Sequence, residues 1–241
     1  MSPAIADIWV YLSAGPLLWL TATLLAYIAA YGLYRRSGFN PLLNPVALAV
    51  ILLVALLWTT GTDYRTYFDG AQFVHFLLGP ATVALAVPLY THFAKVKRAA
   101  LPMLAALIVG SLTATLSAVG IALALGGSSQ TIASLAPKSV TTPIAMGIAE
   151  QVGGLPSLTA ALVILTGIIG AMSGGPLFDR MGIRDWRARG FAMGIAAHGI
   201  GTARAFQVSE VAGTFSGIAM GLNGLATAIL VPVLLGFLGP F

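Results

Sequence analysis

The residues able to do chemistry in this chain are few, and they sit where charge is least expected. Lys138 and Glu150 lie in LAPKSVTTPIAMGIAEQVGG, and His198, Arg204 and Glu210 lie in HGIGTARAFQVSE. Both stretches are flanked by strongly apolar runs. Ionisable groups at membrane depth are costly, and such groups are by default candidates for function. Lys138 and Arg204 offer two positive charges, and Ser139, Thr141, Thr142 and Thr202 offer hydroxyls. Together with Gly201 and His198, one helical turn before Thr202, they suit the binding of a small carboxylate. Half-helix N-termini at the interruptions would add N–H donors and positive dipole ends. Glu150 and Glu210 are the charge partners or coupling groups for such a site.

Each assignment has a structural alternative. Lys138 could pair with Glu150 or Glu210 and only hold the fold, Arg204 could snorkel to an interface, and His198 could be a packing histidine. Other chemistries find no support. His75, His92 and His198 are scattered, there is no cysteine, and no metal-ligand spacing appears. HGIG contains a GxG without a preceding strand, so no nucleotide site is expected. No nucleophile–base–acid arrangement is present, so neither an enzyme nor a cofactor is expected.

The elements that must position these residues follow from composition. Of 241 residues, 58% are hydrophobic and 8% charged, against ~25% charged in a soluble domain. Mean hydropathy is +0.94. Residues 8–34, 37–62, 70–94, 99–137, 151–178 and 211–241 carry no Asp, Glu, Lys or Arg, and each run exceeds the ~20 residues that cross the hydrocarbon core as a helix. Alternating ~10-residue segments of a β-barrel are lacking. An all-α integral membrane protein with about seven transmembrane helices is expected, and the surrounding partner is the lipid bilayer. The +5 charge is explained by loop topology rather than by nucleic acid.

Lys and Arg gather in cytoplasmic loops. Arg35 and Arg36, then Lys95 to Arg98, then Arg180 to Arg189 should lie inside. The N-terminus and GTDYRTYFDG should lie outside, and so should GGSSQ. These assignments agree only if 131–153 enters and turns back, as a re-entrant or broken helix. Pro137 and Pro143 break helices and Gly153-Gly154 ends one. Counting each later apolar run as one crossing puts the C-terminus in the cytoplasm. Weak internal similarity pairs 43–57 with 155–170, 76–87 with 197–208 (Gly79 with Gly201), and 109–119 with 222–232. With opposite loop charges these would be inverted repeats, one over about 16–126 and the other over about 127–241. Inverted repeats with discontinuous helices mark secondary transporters.

SLAPKSVTTPIAM, ILTGIIGA, HGIGTARA and FLLGPATVALAVPLY closely resemble signature segments of the LrgB/CidB family. The resemblance runs from about Trp19 to the C-terminus and leaves residues 1–15 as an N-terminal extension. It implies a bacterial cytoplasmic-membrane protein encoded with a small LrgA/CidA-type membrane partner. Two functions come with it. One is holin/antiholin-like modulation of murein hydrolases and autolysis. The other is transport of small monocarboxylates of the pyruvate, glycolate and glycerate class, as a related plastidial protein looks to perform. The residue pattern favours transport, because a lysine in a proline-broken segment is no requirement of a holin-like pore. A homo-oligomer is left open.

Overall fold

The computed structural model describes residues 16–77, 80, 83–84, 90–91 and 93–238. They fall into two compact units, Met1–Ala84 and Leu85–Phe241. The expected extension 1–15, Gly79, His92 and most of 78–89 lie outside the described residues, so the third expected span is described only in part.

In the first unit, α1 (Pro16–Arg36), α2 (Pro45–Thr60) and α3 (Tyr64–Phe76) pack together, with a 3-10 turn at Pro41–Leu43. Asn44 caps α2 by accepting from the N–H groups of Val46 and Ala47, where the first turn has no carbonyl of its own to offer. Pro45 occupies a first-turn position, where a missing N–H costs nothing. Trp19 and Tyr34 are buried, and Trp19 meets the Tyr67 ring edge-on at 5.9 Å.

The second unit contains α4 (Phe93–Arg98), α5 (Ala100–Ala124), α6 (Ser129–Leu135), α7 (Thr142–Gln151), α8 (Pro156–Arg180), α9 (Trp186–Val208) and α10 (Glu210–Leu238). Four described helices are long and apolar enough to cross a membrane, namely Leu17–Arg36, Ala100–Ala124, Pro156–Arg180 and Glu210–Phe237. At 1.5 Å per residue, the 25 residues of α5 or α8 span ~38 Å, more than the ~30 Å hydrocarbon core. Leu225, Ile229, Val233 and Phe237 are exposed along one stripe of α10. Such an i, i+4 apolar stripe needs a non-aqueous surrounding.

The expected break is present. α6 stops at Leu135, α7 begins at Thr142, and Lys138 lies in the turn between them. Pro137 has no N–H to extend α6, while Pro143 sits in the first turn of α7, where none is required. The pair forms a hairpin. α7 runs beside the second half of α10, with Gly224 against Ile144 and Ile148 in one core with Val231 and Leu235. Leu155 N–H then donates to Ser134 Oγ at 2.8 Å and Thr159 Oγ1 to Ser134 O at 3.0 Å, which ties the start of α8 to α6. Segment 131–153 thus returns to the end of the unit from which it came.

α9 does the same from the other end. At His198 the backbone adopts φ 40°, ψ −131°, outside any helical region. Gly190 packs on Ala212 and Gly194 on Ser216, so arm 186–197 runs with α10; Phe206 packs on Gly213 and Thr202 bonds Ser216, so arm 199–208 runs against it. A Cβ at Gly201 would fall 2.5 Å from the Ala197 Cβ and 3.0 Å from Met193 O. In a straight helix residues 193 and 201 would be ~12 Å apart along the axis.

The second reversal makes α9 a hairpin rather than a crossing; four described helices are long and apolar enough to cross, and the expected count of about seven takes in 78–89, most of which lies outside the described residues. The reversal also turns α10 around. α10 starts at the arginine-rich end of the unit, where Phe215 shares a core with Met103, Leu107 and Phe191. It finishes at the opposite end with Val119 and Ala122. The arginine loop and the end of α10 therefore lie at opposite ends of this unit, whereas both were expected in the cytoplasm. α5 and α10 also run in the same direction, whereas 109–119 and 222–232 were expected as inverted mates. Within this unit a hairpin is followed by a long helix at 129–180 and again at 186–238, with the two long helices running in opposite directions.

Candidate functional site

The tips of the two hairpins meet at one side chain. Asn223, 1% exposed, donates from Nδ2 to Ser139 O in the first break and to Ile195 O before the second, both at 3.1 Å. Its Oδ1 accepts from Ser111 Oγ of α5 at 2.6 Å. Both donor partners are carbonyls, so the amide orientation is fixed by its surroundings. Broken helices leave carbonyls without i+4 donors, and inside a membrane those must be satisfied by protein. Asn223 does this for both hairpins at once.

Beside this junction lies a cavity of about 800 Å³. Its walls come from α5 (Pro102, Met103, Ala106, Gly110, Thr113), the first break (Lys138, Ser139), the outgoing arm of α9 (Phe191, Ala192, Ile195, Ala196) and Phe215 of α10, with Arg98, Asp185 and Arg187 at the arginine-rich end. The wall is mostly apolar but carries three cations and one acid. Asp185 is already engaged. It accepts from Arg187 Nε at 3.0 Å, and that hydrogen-bonded guanidinium holds its carboxyl down to about 2. Arg189, stacked over Trp186 at 5.0 Å, pairs with Asp179 and fixes the same loop.

Lys138 is half-buried, and its Nζ donates to Ser139 Oγ at 3.2 Å. No carboxylate among the described residues lies within ion-pair distance of it. Neither Glu150, exposed at the end of α7, nor Glu210, exposed at the start of α10, is its partner. An ammonium withdrawn from water with one hydroxyl beside it is an unfavourable arrangement that an anion relieves.

The other expected residues are placed elsewhere. Thr141 is the N-cap of α7 and Thr142 its first residue, both half-buried next to the break. His198 is buried and does not line the cavity; its Nε2 meets Val163 O at 2.9 Å. The ring fits only because residue 167 is Gly, where a Cβ would fall 2.7 Å from the His198 Cε1. Thr202 Oγ1 donates to His198 O at 2.7 Å and lies 2.9 Å from Ser216 Oγ. With Gly201, these residues hold the α9 reversal closed. Arg204 lies on the returning arm, 3.5 Å from Gln207 Oε1, and is not part of the cavity wall. The structure therefore joins Lys138 and Ser139 to Arg98, Asp185 and Arg187, which from sequence carried only topological meaning. Asn223 and Ser111 were not anticipated at all. The available signal was a lone asparagine in the charge-free 211–241 run, since an intramembrane amide forms interhelical hydrogen bonds.

Two helical hairpins entering from opposite ends, meeting beside a cavity among long apolar helices, define a multi-pass membrane protein with discontinuous helices. The family model described as "LrgB-like family" matches residues 23–237. The chain is 38% identical over 219 residues to the "Uncharacterized protein YwbG" of Bacillus subtilis (strain 168), covering 91% of this chain and 97% of that protein. It is 36% identical over 212 residues to YxaC of the same strain, covering 88% and 91%. It is 30% identical over 224 residues to the "Antiholin-like protein LrgB" of Bacillus cereus (strain B4264), covering 93% and 97%. No solved structure matches it. The chain belongs to the LrgB-like family.

Proposed function

We propose that this protein carries small monocarboxylates of the pyruvate, glycolate and glycerate class across the bacterial cytoplasmic membrane. The observation that carries the reading is Lys138, an ammonium held in a helix break, facing a cavity of about 800 Å³, without an acidic partner among the described residues. Irregular backbone is tolerated at membrane depth where it is buried in protein or lines a cavity. Carriers place such breaks at the meeting of opposed segments. In this reading Lys138 and Ser139 receive the carboxylate, and Arg98 and Arg187 raise the local anion concentration at the mouth. Thr141 and Thr142 shape the break, while His198, Gly201 and Thr202 hold the second hairpin. The two cation-rich loops at one end of the unit face the cytoplasm by the positive-inside rule. The cavity then opens inward and α10 ends outside; by the same rule, applied to Arg35 and Arg36, the N-terminus lies outside.

A second reading rests on the printed names of the Bacillus cereus relatives. It is antiholin-like modulation of murein hydrolase activity, with a small LrgA/CidA-type membrane partner. Purified protein in liposomes separates the two. Saturable uptake of labelled pyruvate or glycolate that excludes an inert dye supports the carrier. Dye leakage supports a pore, and neither activity leaves the partner-dependent role.

A further inference from the structure

Beyond the carboxylate, the cavity offers little for a hydroxylated substrate to bond. Its polar side chains near the break are Lys138, Ser139 and Thr113, whereas Ala106, Gly110, Ala192, Ile195, Ala196 and Phe215 present only carbon. Ser139 Oγ is already the acceptor of Lys138, and Ser139 O is taken by Asn223. The volume, about 800 Å³, lies in the range that holds ligands much larger than a two- or three-carbon acid. The remaining cations, Arg98 and Arg187, belong to the mouth. Arg98 ends α4 and Arg187 opens α9, whereas Lys138 is the one cation in the break itself.

Resting on the carrier reading, we infer that the preferred substrates are monocarboxylates with an apolar body, such as short aliphatic acids, rather than polyhydroxy acids. One carboxylate meets the one cation in the break, and the carbon chain lies against the α5 and α9 walls. Each methylene removed from water against such a wall strengthens binding about fourfold. A hydroxyl placed there loses its water and finds no partner, which weakens binding by about tenfold or more.

Propionate and glycerate share a three-carbon skeleton and differ by two hydroxyls, which makes them the deciding pair. Thermal-shift titrations of the full chain in detergent with acetate, propionate, butyrate and glycerate give the four affinities. The expected order is butyrate, propionate, acetate, with glycerate at least about tenfold weaker than propionate. Lys138→Gln should remove the response to all four. Ala106→Phe should lower the affinity ratio of butyrate to acetate, because it fills the apolar wall. Glycerate binding as tightly as propionate overturns this inference while leaving the carrier reading intact. No shift with any of the four, from a protein that unfolds cooperatively, overturns both. An unchanged butyrate-to-acetate ratio in a folded Ala106→Phe variant overturns the placement of the carbon chain.

Discussion

Replacing Asn223 by Leu keeps the branched shape of the side chain, in a somewhat bulkier form, and removes every hydrogen bond that Asn223 makes at the junction of the hairpins. Ser139 O, Ile195 O and Ser111 Oγ each lose a partner. Each belongs to a residue buried between helices. Hydrogen bonds between membrane helices are worth on average ~0.6 and at most ~1.7 kcal/mol, and an unsatisfied buried group costs ~1–3 kcal/mol. Taking ~1 kcal/mol for each of the three groups gives ~3 kcal/mol. In a chain of this size 1 kcal/mol moves Tm by ~2–4 °C, so a drop of ~6–12 °C is expected. Ser111→Ala, which removes one bond, should show about a third of that. Asn223→Asp retains the acceptor for Ser111 but turns an oxygen toward two carbonyl oxygens, so it should be at least as damaging as Leu. The assay is thermal unfolding of the detergent-solubilised protein followed by intrinsic Trp fluorescence. A shift below ~2 °C for Asn223→Leu, within the range of ordinary surface substitutions, would refute the junction as a structural keystone.

Three further outcomes are expected. The native chain has no cysteine, so a cysteine at Arg184 should resist an impermeant thiol reagent in intact cells while one at Phe237 reacts; equal reactivity would contradict the reversal at His198. Arg204 is not part of the cavity wall, so Arg204→Lys should leave apparent substrate affinity within about twofold, and a tenfold loss would move the site toward the second hairpin. The Asp185 carboxyl is held at about 2 by its hydrogen bonds to Arg187, below the unfolded value of ~3.9. A depressed pKa stabilises the fold above the unfolded value and loses that contribution as pH falls through the folded one. Asp185→Asn should therefore flatten the dependence of Tm on pH between about 5 and 2, and an unaltered acid slope would show that the pair does not act on stability.

The first hairpin was legible because prolines state it openly: Pro137 and Pro143 bracket Lys138, and the break is found there. The second was legible only as an interruption. HGIGTAR has no proline, and the reversal resides in one residue, His198, with glycines beside it. A hydropathy window sums both arms of α9 and reads one span. By parity, one such reversal inverts the direction of every later helix. The charge rule offered no correction, because residues 211–241 carry no Lys or Arg. Membership of the site failed to show for a different reason. Arg98, Asp185 and Arg187 lie far from Lys138 in sequence, and their loop positions already had a sufficient topological explanation. An uncharged amide barely alters hydropathy, so Asn223 leaves no trace there, although it bonds Ser139 O, Ile195 O, Ser111 Oγ and, at 3.5 Å, Thr227 Oγ1.

The central claim is that Lys138 is the anion site of a carboxylate carrier, and uptake by its variants tests it most directly. Labelled pyruvate and glycolate uptake would be measured in proteoliposomes containing equal amounts of inserted native, Lys138→Gln and Lys138→Arg protein. An ammonium can be replaced in charge but not in shape by a guanidinium. The account expects saturable uptake by the native chain, none by Lys138→Gln, and partial uptake by Lys138→Arg. Normal saturable uptake by correctly inserted Lys138→Gln protein would contradict it.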